Sequence, residues 1–401
     1  MKRWTTLSAA LLVVAACDTP APSPDGELVE RDSAGVVIAE WSGPIWTSGP
    51  RWTIGEPATS IGALESDEPE YLFSGIRGTV ALSDGRIVVA DGGSNTLRWY
   101  DASGVFLMQR GGSGEGPGEF SRLGPIVRTD DDGLVVTDGA LHRITRFSSE
   151  GELLMTTPIE GVTVPGPAHP LAEGAFVVGA AGFSSTQMTG EEEGLYRASE
   201  PLIRIRSEVD AVDTLGIFPG PEIYFRTRSF GGHPFSRGFY YGTAGDRAFV
   251  AGAEGFVVDV YAGDGRHLRS IRAPSVDLTL TDELIGAYKD EALRLAAERG
   301  ERVESSTRSA LADMIFPKER PAYGRMVVGD DAIWLEQHSG GVTPTVSRWA
   351  VFDHDGAFRG TAEFPAEFRL STVGDGRVAG SWRDSLGVEY ARAYALVETG
   401  G

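Results

Sequence analysis

A single cysteine, Cys17, occurs in 401 residues, so no disulfide can form within the chain and burial with hydrogen bonding must hold the fold. Lysine is almost absent: Lys2, Lys289 and Lys318 are the only ones, and arginine carries nearly all of the positive charge. That charge is itself scarce. Against 57 acidic residues stand 36 basic ones, a formal net charge of −21, which excludes a general nucleic-acid or anionic-membrane binder. The six histidines are scattered and show no metal-ligand spacing: His267 and His354 fall in turns, His142 near a strand start, and His169, His233 and His338 in loops or at strand ends. No dinucleotide fingerprint occurs either. The loop GGSGEGPGEF lacks the spacing, precedes a strand, and carries Glu115 and Glu119, which repel phosphate; no cofactor is implied.

Long apolar runs are missing as well. The run from Leu7 to Ala16 is too short to span a bilayer and, behind Lys2 and Arg3, reads as a signal peptide covering residues 1–16. Val14-Ala15-Ala16-Cys17 resembles the bacterial lipobox, which implies lipidation of Cys17 after cleavage. The following Pro-, Asp- and Ser-rich stretch to residue 34 reads as a flexible tether. Residues 35–401 are then expected to form one domain.

What the chain has in abundance is short β-type runs between turns. Residues 71–120 contain GTVAL, RIVVAD, TLRWYD and VFLMQR, separated by Asp-Gly, Gly-Gly-Ser-Asn and Ser-Gly turns. The Asp132-Gly133 turn repeats Asp84-Gly85 after 48 residues, so a second copy occupies 120–159. A four-stranded meander of this length cannot bury both faces alone, and copies must stack around an axis. A degenerate third copy starts near Pro167, a fourth covers 238–274, a fifth 324–364, and a sixth ends at Val397 with only three strands. The fold class is all-β, a six-bladed β-propeller with a short helical insertion between blades four and five, about residues 281–316. A three-stranded last blade needs a fourth strand, and residues 35–62 offer two donors, VVIAEW and ATSIG. Thr281 before Asp282 and Glu283 caps the insertion's first helix, which Gly300 stops; a second helix is expected from Ser305 to Phe316, and Asp290 has helical spacing to Arg294.

DGRIVVAD followed by Asn95, Arg98 and YDASG, with GEGPGEF leading onward, resembles NHL-type repeats and the bacterial six-bladed propeller lipoproteins that carry them. The resemblance is specific over 71–159, loose over 238–274 and 324–397, and absent from the third copy. It implies the fold; such propellers include binding modules as well as metal-dependent lactonases and lyases.

Two constellations stand out as candidate ligand sites. Arg77, Arg122, Arg237, Arg325 and Arg369 recur near the starts of five inner strands, where a ring of guanidinium groups at the channel mouth would meet a carboxylate or phosphate. The competing reading pairs them with neighbouring acids such as Glu70, Glu119 and Glu367 as struts between blades. The second constellation is IYFRTRSFGGHPFSRGFYY, without an acid, in which Tyr224, Arg226, Arg228 and His233 suit sugars, uronic acids or peptides. Its alternative is a loop pinned to the propeller by its own aromatic residues. Asp91 and Asp138 read as turn-bonding carboxylates.

The sequence thus points to an envelope protein tethered by a lipid anchor and facing the periplasm or exterior. The expected activity is non-catalytic binding of an anionic small molecule, glycan or peptide. A metal-dependent lactonase or lyase, and a scaffold in an envelope protein complex, are the alternatives.

Overall fold

The computed structural model describes residues 26–46, 49–159, 162, 164–181, 193–206, 211–226, 229–274, 277–341 and 344–399. Six sheets radiate from one axis, as the repeats require. Their strands cover residues 76–111, 123–158, 164–231, 240–272, 323–365 and 368–398, blades 1 to 6, each a meander of antiparallel neighbours. Closure is visible in the core. Six apolar clusters occupy the six interfaces between successive blades, the last joining Ala379, Ala391 and Ala393 of blade 6 to Val89 and Tyr100 of blade 1. Inner strands approach each other tightly there: a Cβ on Gly78 of blade 1 would lie 3.1 Å from the Ile126 side chain of blade 2.

The two candidate closing strands have different fates. ATSIG supplies Thr59–Ile61, antiparallel to the third strand of blade 6 through Ala391↔Ile61 and Ala393↔Thr59, and completes that blade. Trp52–Ile54 also joins this strand and pairs in parallel with the outer strand of blade 5, Phe358–Pro365, so the sheets of blades 5 and 6 are continuous. VVIAEW (Val36–Trp41) instead lies parallel to the outer strand of blade 4, His267–Arg272.

The tether reading needs a correction at its end: Leu28–Ser33 is a strand, paired with Val36–Trp41. The turn explains it. Ala34 and Gly35 both have positive φ, 56° and 87°, the two-residue geometry that matches the twist of a hairpin. Successive strands alternate in direction, so the outer strand of blade 4 runs back toward the face where inner strands begin. Leu28 therefore starts at the rim of that same entry face.

The insertion is a helical pair, α1 (Asp282–Glu298) and α2 (Glu301–Ala312). The Thr281 hydroxyl accepts from the Leu284 amide at 3.3 Å, as a cap should. The second helix starts earlier than Ser305, because Gly300 at φ 110° turns the chain and Glu301 and Glu304 fill a favourable first turn. Arg294 pairs with Glu291 at 2.7 Å and Glu298 at 2.5 Å, where the sequence suggested Asp290. No described helix is long and apolar enough to cross a membrane.

Candidate functional site

The entry face divides into an open half and a covered half. On the open half Arg77, Arg122 and Arg369 line one cleft of about 610 Å³, together with Arg383, Glu367, Glu389 and Trp382. All three arginines are exposed. They reach this place because each sits within two residues of an inner strand's start, in blades 1, 2 and 6. The suggested pairs with Glu70, Glu119 and Glu367 do not form. Arg122 donates to the Gly139 carbonyl at 2.7 Å, Glu119 accepts from the Gly116 amide at 2.9 Å, and Arg77 and Arg369 have no ion pair or side-chain hydrogen bond among the described residues.

The wall beside them is fixed by Glu389 of blade 6. One oxygen accepts from the amides of Gly75 at 2.6 Å and Ile76 at 3.0 Å, which begin blade 1, and the other meets Arg383. Burial opposes ionisation of Glu389, but these donors outweigh it and its carboxyl titrates below the ordinary range. Asp91 and Asp138 do comparable work at the ends of the second strands. Asp91 accepts from the Ser74 amide at 2.9 Å, and Asp138 from the amides of Ser121, Ala140 and Leu141 at 2.7, 2.8 and 2.9 Å. Two arginines that were not among the candidate ligand residues hold the incoming loops: Arg98, part of the repeat motif, donates to the carbonyls of Pro69, Glu70 and Leu72, and Arg143 to those of Glu115, Gly116 and Glu119. Their carbonyl partners carry no sequence signal, which is why these arginines could not be told apart from the cleft residues in advance.

The covered half treats its arginines differently. Arg237 lies 3.2 Å from Glu319 and 3.7 Å from Glu222, while Arg325 lies 3.3 Å from Glu336, donates to the Leu370 carbonyl at 2.6 Å and covers the Trp349 ring. Neither lines the cleft. Burial pushes the Arg325 guanidinium below its usual pKa, against the pull of Glu336. The five-arginine ring is therefore three arginines at a cleft and two struts.

The aromatic stretch is folded under the helical insertion. Tyr224, His233 and Phe235 are buried, and His233 packs against Tyr224 and Phe316, with Phe235 edge-on to Tyr288 of α1. The Tyr224 hydroxyl accepts from the Ile315 amide at 2.8 Å, and Arg226 lies 3.7 Å from Asp313. Tyr224, Arg226 and His233 thus anchor the cap and do not line the cleft. Arg228 and Cys17 lie outside the described residues. Arg197, also unremarked in the sequence, clamps this half by donating to the carbonyls of Gly220, Gly238 and Gly252 and pairing with Glu254.

At the opposite mouth a second cavity of about 480 Å³ is lined by Thr243, Ser371, His169 and Arg128. Arg128 crosses from blade 2 to Asp330 of blade 5 at 2.8 Å and Asp375 of blade 6 at 3.4 Å. Burial lowers the pKa of His169 to about 4, so it lines the channel as a neutral ring at pH 7. Among the described residues no group of three or more His, Cys, Asp or Glu is placed to hold a metal ion.

No family model matches the chain and no curated protein matches it. Solved structures do. A member of the DUF4221 family from Bacteroides vulgatus aligns with a TM-score of 0.49 at 12% identity over 94% of this chain and 99% of that one. Virginiamycin B lyase from Staphylococcus aureus aligns with a TM-score of 0.40 at 10% identity, covering 84% and 98%. A gluconolactonase from Xanthomonas campestris gives 0.41 at 12% identity, covering 81% and 87%. At scores below 0.5 nothing of those proteins' chemistry carries over, and the six-bladed ring rests on this chain's own strand pairing and interface clusters.

Proposed function

We propose that this chain is a membrane-tethered extracytoplasmic propeller that binds an anionic ligand without transforming it. The observation that carries the reading is the cleft: Arg77 and Arg369 line it without an ion pair among the described residues, beside Arg122, in a chain of net charge −21. An acidic protein supplies carboxylates nearly everywhere, yet of the two in this cleft Glu389 is held by Arg383 and the amides of Gly75 and Ile76, and Glu367 makes no pair with the three arginines. Guanidinium groups left this way present bidentate donors to a carboxylate or phosphate, on a small molecule, a glycan or a peptide.

The apolar run before Cys17 supports export and a lipid anchor. Leu28 begins at the entry rim, so an anchor at Cys17 would hold the cleft toward the membrane, within about 40 Å of chain.

Thermal unfolding of the chain from residue 26 onward, with dicarboxylates, phosphate, acidic sugars and neutral sugars at low and moderate salt, tests the reading. An anion at about a hundredfold its Kd adds about 2.7 kcal/mol of stability. The shift is expected for anions alone, reduced by salt and lost in Arg77→Ala. No shift with any anion would leave the arginines without a ligand role.

A further inference from the structure

The cleft holds more than cations, and its remaining lining narrows the ligand. Glu367 is exposed in the same cleft and has no side-chain hydrogen bond or ion pair among the described residues. Ser381 lines it with a half-buried hydroxyl that likewise has no described partner. Trp382, which follows Ser381 in the strand, turns to the opposite face of the sheet: Arg392 lies over its ring at 4.2 Å, and it joins the apolar cluster in which Phe368 and Tyr394 pack with centroids 5.0 Å apart. Ser381 and Arg383 therefore share the face that lines the cleft, with Ser381 paired to Arg369 across the strands.

A simple anion uses only part of this set. Phosphate or a small dicarboxylate would satisfy Arg77, Arg122 and Arg369 and be repelled by Glu367. A neutral sugar would use Ser381 and Glu367 and leave the guanidinium groups unmatched. A sugar that carries a carboxylate uses all of them. Its acid group meets the arginines, and its hydroxyls donate to the Glu367 carboxylate and bond with Ser381. A cleft of about 610 Å³ also exceeds what a single inorganic anion fills and falls within the range that holds extended organic ligands.

We propose that the ligand of the cleft is a sugar acid, bound as a uronate residue of a short acidic saccharide. This rests on the anion-binding reading of the same cleft. The carboxylate specificity comes from Arg77, Arg122 and Arg369, and the sugar specificity from Glu367 and Ser381.

Calorimetric titration with trigalacturonate, glutarate, inorganic phosphate and maltotriose, on the chain from residue 26 onward, separates the two claims. Trigalacturonate is expected to bind at least tenfold more tightly than glutarate or phosphate, and maltotriose not measurably. Glu367→Gln, an exposed position whose change leaves the fold intact, is expected to weaken trigalacturonate by about tenfold and to tighten glutarate, since it removes a charged acceptor in one case and a repulsion in the other. Ser381→Ala should weaken trigalacturonate and leave glutarate unchanged. If glutarate or phosphate binds as tightly as trigalacturonate, or Glu367→Gln tightens all three anions, the sugar-acid assignment is overturned while the anion cleft stands. If no anion binds, both fall.

Discussion

The open and covered halves of the entry face start from the same local sequence and end in opposite chemistry. In blades 1, 2 and 6 an arginine at the start of the inner strand lines a cleft; in blades 4 and 5 the equivalent arginine is consumed by Glu222, Glu319, Glu336 and a carbonyl. What separates Arg237 is the material laid on top; what separates Arg325 is a glutamate on the adjacent strand of its own blade. The long third and fourth strands of blade 3, Gly194–Arg206 and Ala211–Arg226, and the α1–α2 insertion bring acids and aromatics over blades 3 to 5. The connections into blades 6, 1 and 2 carry no comparable insertion among the described residues, and Arg98, Arg143, Asp91, Asp138 and Glu389 bond the two longer ones to the ring. A repeated residue acquires a function only where its neighbours leave it one.

Four experiments sharpen that contrast. The largest effect is expected in the covered half. Phe235 is fully buried between His233, Tyr288, Phe316 and His338, so Phe235→Ala should cost about 3–5 kcal/mol in chemical denaturation while anion affinity at the cleft stays within twofold. An equal loss of anion binding would show that the two halves are coupled.

The next effect is on pH dependence. Burial lowers the pKa of His233 from 6.5 to about 4, so between those values the unfolded chain takes up a proton that the folded chain refuses. Stability contributed by neutral His233 is therefore present above pH 6.5 and is lost as pH falls toward 4, by up to about 3 kcal/mol. His233→Phe should make the urea midpoint less sensitive to pH across that window; an unchanged slope would place the sensitivity elsewhere, with His169 the first alternative.

Arg325→Ala removes the partner of a half-buried Glu336 and of the Leu370 carbonyl and should cost about 2–3 kcal/mol, with anion binding retained. Arg369→Ala is the mirror image. Its side chain is exposed and carries no described ion pair, so stability should change by less than about 0.5 kcal/mol while anion binding weakens at least tenfold. Equal behaviour of these two variants would erase the distinction between halves.

Much of the ring was legible in the sequence because its signals are local. The Asp84-Gly85 and Asp132-Gly133 turns, the strand-length runs between them and the three-stranded final copy are statements about neighbours in the chain, and the meander follows from them. The cap was legible for the same reason, through Thr281 and Gly300. The Leu28–Ser33 strand was missed because its turn, Ala34-Gly35, lacks the usual Asn or Asp before glycine and its exposed residues show no apolar alternation.

The fate of each arginine could not be read in advance. Arg77 and Arg325 have similar positions in their repeats, yet only the second meets a carboxylate, and that carboxylate comes from the neighbouring strand at a register that folding sets. The sequence by itself determined the repeat, the turns, the helical insertion and the excess of negative charge, because backbone propensity and composition act over a few residues. Only the tertiary structure decided that Thr59–Ile61 closes the ring, that three arginines share one cleft, and that Glu367 and Ser381 stand beside them. Those facts depend on which blades become neighbours around the axis and on what covers them, and no stretch of the chain carries that information alone.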